Sequence, residues 1–88
     1  MRKIFERNSF RRDFTRQETR GKDFSKLDEI VTLLAETGRV DSTRQPHKLK
    51  GRYAGLWECH IEHDWLLIYE VTDNELILAR TGTHEDLF

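Results

Sequence analysis

The chain of 88 residues has a single cysteine, Cys59, which excludes an intrachain disulfide and fits a reducing compartment. No apolar run approaches the ~20 residues of a membrane span, and the opening MRKIFERNSF has no signal-peptide hydrophobic region. The expectation is a soluble, cytoplasmic protein with no membrane partner. There is no internal repeat and no low-complexity segment. A glycine-rich phosphate loop and a nucleophile elbow are also missing, which removes two common routes to catalysis.

Positive charge is nearly absent from the second half. Residues 53–88 hold one lysine or arginine, Arg80, against eight aspartates and glutamates, whereas residues 1–52 hold 14 basic and 8 acidic residues. The overall formal charge of −1 conceals this split. Charge alone fits solvated helix faces as well as a face for phosphates. The apolar share of 36% is low and the charged share of 35% is high, yet the apolar residues fall into runs, so residues 1–88 read as one folded domain.

RKIFE is short enough for an edge strand. Asn8 or Ser9 offers a helix cap, Phe10 and Phe14 share a helical face, and Gly21 breaks that helix. In DFSKLDEIVTLLAETG, Phe24, Leu27, Ile30, Val31 and Leu34 follow the helical period. Ser25 with Asp28 suggests a capping box (Asp23 is a rival cap), and Gly38 stands just past the end. RVDSTRQPHKLKG, with the only proline, Pro46, reads as a basic connecting loop. The period then becomes two. In LWECHIE, Trp57, Cys59 and Ile61 point one way while Glu58, His60 and Glu62 point the other. His63-Asp64 suits a tight connection, WLLIYEV suits a central strand covered on both faces, and LILARTGT follows the turn TDNE as a third strand. The pattern predicts an α+β fold in which a strand and two helices precede an antiparallel meander. Helices can cover only one face of such a sheet, leaving the other for binding.

Adjacent pairing of the last three strands would bring His60 near Asp64, and Arg80 through His84 toward the same corner. An acid, a base and a cation together match what RNA cleavage requires when the ribose 2′-hydroxyl is the nucleophile. One group takes its proton, another protonates the leaving 5′-oxygen, and a cation offsets charge on the phosphorane, with no metal or cofactor. Histidine titrates near neutrality, arginine forks onto phosphate, and an aromatic such as Phe88 can stack on a base. Each residue also has a purely structural reading. His47 suits a solvated loop and His60 a polar strand face, while His63 and Asp64 are turn formers. His84 could cap a terminal helix opened by Thr83, Phe88 could plug a gap, and Arg80 could pair with Glu58 or Glu70. The spacing of His60, His63 and His84 matches no standard zinc pattern, and Cys59 points away from His60, so no metal is assigned.

HKLKGRYAGLWECHIEHDWLLIYEV followed by LARTGTHEDLF closely resembles the YafQ branch of the RelE-like toxins of bacterial toxin–antitoxin systems. The match covers residues 47–88, and the N-terminal half agrees in its two-helix layout. The resemblance implies a compact fold with a strand and two helices packed on one face of an antiparallel sheet, and a short C-terminal helical turn. It further implies a ribosome-dependent endoribonuclease that cuts translated mRNA in the ribosomal A site. By that resemblance His47, His60, Asp64 and His84 are catalytic, with His84 the main proton-transfer group. Arg80 stabilises phosphate and Phe88 supports the site. Arg44, Lys48, Lys50 and Arg52 would then meet ribosomal RNA, and an acidic antitoxin protein is the expected partner. Two departures stand out: His63 occupies a place where relatives often carry proline, and this chain is slightly acidic where such toxins are commonly basic. The same scaffold also serves ParE-type toxins that act on DNA gyrase without cutting RNA, and an inert binding module is a third option. Fold alone does not choose among them, but an acid–base set is superfluous to a protein-binding toxin.

Overall fold

The structure, a computed structural model, describes residues 1–88. The elements follow the expected order: β1 (Lys3–Glu6), α1 (Asn8–Thr19), α2 (Ser25–Thr37), β2 (His47–Lys48), β3 (Trp57–Glu62), β4 (Trp65–Val71), β5 (Glu75–Gly82) and α3 (His84–Leu87). They build one five-stranded sheet in the order β1-β5-β4-β3-β2. Strands β3, β4 and β5 form the antiparallel meander. Strand β1 pairs parallel to β5 at one edge, which makes the sheet mixed. At the other edge, two residues of the basic loop pair with β3 as the short strand β2. A strand of two residues carries no alternation, so it was indistinguishable from loop in the sequence.

Helix α2 buries Leu27, Ile30, Leu34 and Ala35 and stops where expected. Gly38 adopts φ 77°, and its N–H donates to the Leu34 carbonyl. Its start differs from the capping box expected of Ser25 and Asp28. The Asp23 carboxylate instead accepts the Ser25 N–H at 3.0 Å, a bond that holds Asp23 below the ordinary carboxylate range. Helix α1 has Arg7 at its cap position and no side-chain cap, because Ser9 is used elsewhere, as described below.

Both faces of β4 are covered. On the helix side, Phe10, Leu27, Ile30 and Leu34 close over Cys59, Ile61, Trp65, Leu67, Tyr69, Leu76 and Leu78. Each leucine, isoleucine and phenylalanine among them gains about 1.5–3 kcal/mol on burial. On the far side a smaller cluster of Tyr53, Leu56, Leu66, Ile68, Ala79 and Leu87 lies under the 51–56 segment and the C-terminal turn. That face is thus partly covered, though not by α1 or α2.

Two irregularities re-aim side chains. The β4–β5 register shifts so that Ile68 faces Arg80 while Tyr69 faces Leu78. Ala79 is the extra residue of a bulge. Simple alternation would send Arg80 to the helix side with Leu76 and Leu78; the bulge turns it to the far face, in one row with Ile68 and Glu58. A second shift lies between His60 and Glu62. It swings Glu62 to the helix side, where Lys26 binds it at 3.0 Å and Lys22 at 3.5 Å. Glu62 therefore does not share a face with Glu58 and His60, contrary to the alternation.

Candidate active site

Strand β1 ends at Glu6, which leaves the second half of β5 with an unpaired edge. Side chains of α1 satisfy it. Ser9 Oγ donates to the Ala79 carbonyl at 2.6 Å, and the Thr81 N–H donates to Asp13 Oδ2 at 3.1 Å. Asp13 is buried, and its carboxylate also takes the Arg80 fork, at 2.6 Å from Nε and 3.2 Å from Nη2. That bidentate bond raises the Arg80 pKa above its ordinary value, fixing a cation at the sheet face. Arg80 Nη1 donates to the Tyr53 hydroxyl at 3.1 Å, which in turn donates to the Leu87 carbonyl at 2.8 Å. The structural pairings considered for Arg80, with Glu58 or Glu70, do not form. Glu70 lies 3.9 Å from Arg7, and Glu58 lies two strands away, 3.3 Å from His47.

The C-terminal turn opens at Thr83, as expected, and is closed by a reciprocal cap with Asp86. Thr83 accepts the Asp86 N–H at 3.1 Å, and Asp86 accepts the Thr83 N–H at 2.9 Å. The His84 N–H donates to Asp64 Oδ1 at 3.0 Å, so Asp64 ties the β3–β4 turn to the first residue of α3. Leu87 is buried, and Phe88 lies edge-on to Tyr53 (5.3 Å) and 4.9 Å from the His84 ring. His60 pairs with Leu66, and Leu66 with Gly82. At ~4.8 Å per strand, His60 therefore sits roughly 10 Å from the residue that leads into the turn.

The fold thus gathers His60, Asp64, Arg80, His84 and Phe88 at one corner of the sheet. His60 is half-buried with Nδ1 3.2 Å from the His63 carbonyl, and it makes no hydrogen bond to Asp64. His47 lies farther out, on β2, opposite Glu58, with Nδ1 3.2 Å from the Gln45 carbonyl. Its row crosses three strand spacings, roughly 14 Å, before reaching Arg80. Of the four basic residues, Lys48, Lys50 and Arg52 are exposed. Arg52 stacks its guanidinium 5.3 Å from the Tyr53 ring, and Arg44 Nη1 donates to the Ile61 carbonyl. His60, His63 and His84 do not come together as a metal-holding group.

Three site residues were missed from sequence: Asp13, Tyr53 and Glu58. The signal for Asp13 was present, since Phe10, Asp13, Phe14 and Gln17 share one helical face. A carboxylate in that stripe demands a buried partner. Glu58 is 4% exposed and leaves Oε2 without a hydrogen-bond partner, although alternation had placed it on a solvated face. The corner presents titratable rings beside a fixed guanidinium and an exposed aromatic, the groups that proton transfer at a phosphodiester calls for.

The family model described as bacterial toxin of type II toxin–antitoxin system, YafQ, matches residues 2–88. The mRNA interferase toxin YafQ of Escherichia coli K12 is 39% identical over 80 residues, spanning 90% of this chain and 87% of that one. Among solved structures, a copper-bound mutant toxin from Helicobacter pylori superposes with a TM-score of 0.92 at 41% identity, over 100% of both chains. YafQ in the E. coli DinJ–YafQ complex superposes with a TM-score of 0.90 at 36% identity, over 100% of this chain and 99% of that one. With the corner site on a matching fold and the family model covering nearly its whole length, the chain belongs to the YafQ family of bacterial type II toxin–antitoxin toxins.

Proposed function

We propose that this chain is an mRNA interferase that cuts translated mRNA in the ribosomal A site, without a metal, by using the ribose 2′-hydroxyl as nucleophile. The observation that carries this reading is the convergence of His60, Asp64, Arg80 and His84 at one sheet corner. His84 is the main proton-transfer group, with His60 and Asp64 as its partners and His47 entering from the β2 edge. Arg80 offsets charge on the phosphorane, and Phe88 stacks on a base. Attack by the 2′-oxygen breaks the bond to the 5′-oxygen and leaves a 2′,3′-cyclic phosphate and a 5′-hydroxyl. Its relative YafQ is an mRNA interferase, which supports the substrate class.

Lys48, Lys50 and Arg52, with what Arg44 has to spare, form the face for ribosomal RNA. A relative is seen with a protein partner in the DinJ–YafQ complex, which supports an antitoxin partner for this chain, and the basic face of Lys48, Lys50 and Arg52 calls for an acidic one. The test is 5′-end mapping of an mRNA in a reconstituted translation reaction, with wild type and His84→Gln, each with and without ribosomes. Cuts confined to wild type with ribosomes support the reading. Intact RNA with folded wild type overturns it and turns attention to a protein target such as gyrase.

A further inference from the structure

Helix α3 is one turn of four residues, far too short to persist by itself in water. Its position must come from what it touches. Asp86 stands at the centre of those contacts. Besides the Thr83 N–H, its Oδ2 accepts Arg20 Nη1 at 2.5 Å and its Oδ1 accepts Arg20 Nη2 at 3.0 Å, with Arg16 Nη1 at 3.8 Å. The carboxylate folds over Gly82, where an added Cβ would stand 2.9 Å from Asp86 Oδ2 and 3.0 Å from Asp86 Cβ. Residue 82 therefore has to be bare for the contact to close. Arg20 is the C-cap residue of α1, just before Gly21 at φ 75°, so the helix stops where its fork is needed. The pair joins residues 66 apart in the chain.

We propose that Arg20 is a positioning residue for the cleavage reaction: through Asp86 it clasps the turn that presents His84 and Phe88. The clasp rests on the nuclease reading given above for its functional meaning, while its structural part is independent of it. Arg20 hydrogen-bonds Gln17 and Asp86, not the His84 ring. Its fork meets one carboxylate in two parallel bonds, a geometry that a lysine cannot reproduce. Burial of Leu87 and the bond from Tyr53 hold the far end of the turn. The clasp, together with the Asp64 carboxylate on the His84 N–H, sets the near end, where His84 begins.

The test compares wild type, Arg20→Ala, Arg20→Lys, Asp86→Asn and the Arg20→Ala/Asp86→Asn double variant. Each is read by kcat and KM for mRNA cleavage on ribosomes and by nuclear Overhauser contacts between the His84 and Phe88 rings, which lie 4.9 Å apart. Arg20 is partly exposed, so its truncation leaves both cores intact. The single variants are expected to lose about tenfold or more in kcat with KM little changed, a cost in keeping with small misplacement of a reacting group. The ring contacts should weaken, Arg20→Lys should recover part of the loss, and the double variant should be no worse than the more impaired single. Unchanged kcat in Arg20→Ala overturns the proposal. So does a raised KM with the ring contacts intact, which would make Arg20 a direct RNA contact, and so do additive losses in the double variant. If wild type itself fails to cut, the nuclease reading falls, and the ring contacts alone still report whether Arg20 holds the turn.

Discussion

The two faces of the sheet are built on different terms. The helix side is closed by Phe10, Leu27, Ile30 and Leu34 over a broad apolar floor, and its charged contacts, such as Lys22 and Lys26 with Glu62, lie at the margin. The far side has half as large a cluster. It is completed by Asp13, Arg80, Tyr53 and the capped turn, linked by hydrogen bonds from end to end. One face supplies stability that is non-directional and tolerant of exchange. The other supplies orientation, which is intolerant of it.

That contrast can be broken most sharply at His84. His84→Gln should lower the cleavage rate by about 10²–10⁴-fold with an unchanged melting temperature. Leu34→Ala should do the reverse, costing about 2–5 kcal/mol of stability, read by denaturant unfolding, with the rate per folded molecule preserved. Asp13→Asn tests the join between the faces. It leaves Arg80 without its counter-charge and should cost roughly 3 kcal/mol together with most of the cleavage activity, seen as a lower kcat.

Smaller effects sharpen the picture. Arg20 holds the Asp86 carboxyl well below the ordinary carboxylate range. A depressed folded-state pKa stabilises the fold at pH values above the unfolded carboxyl's pKa of about 4, and that contribution is lost as pH falls further. Asp86→Asn should therefore unfold with a shallower dependence on pH below about 4, as followed by circular dichroism. Glu62→Gln at the margin should cost no more than about 1 kcal/mol and leave cleavage untouched. A large loss of activity there would erase the division between the faces.

The order of the elements, the Gly38 stop of α2 and the Thr83–Asp86 cap were legible because local chemistry decides them. Helical period, a left-handed glycine and a hydroxyl three residues before an acid are all short-range signals. The corner that gathers His60, Asp64 and His84 was legible too, given antiparallel pairing of neighbouring strands. What escaped was decided at a distance. The bulge at Ala79 that lets Arg80 reach the far face, set by how β5 registers on β4, does not show in the period-two pattern, and Glu62 turned over for the same kind of reason. Asp13 and Ser9 left their local roles because a strand edge 68 to 70 residues away needed them.

That long reach bears on timing. Three of the contacts that order the site, Ser9 to Ala79, Asp13 to Arg80 and Arg20 to Asp86, join the first twenty residues to the stretch beyond residue 78. Loops of such length close slowly compared with local structure. The corner therefore cannot be complete until Asp86 is free to meet Arg20. The delay lies in the topology, and the site is among the last parts of the fold that can be completed.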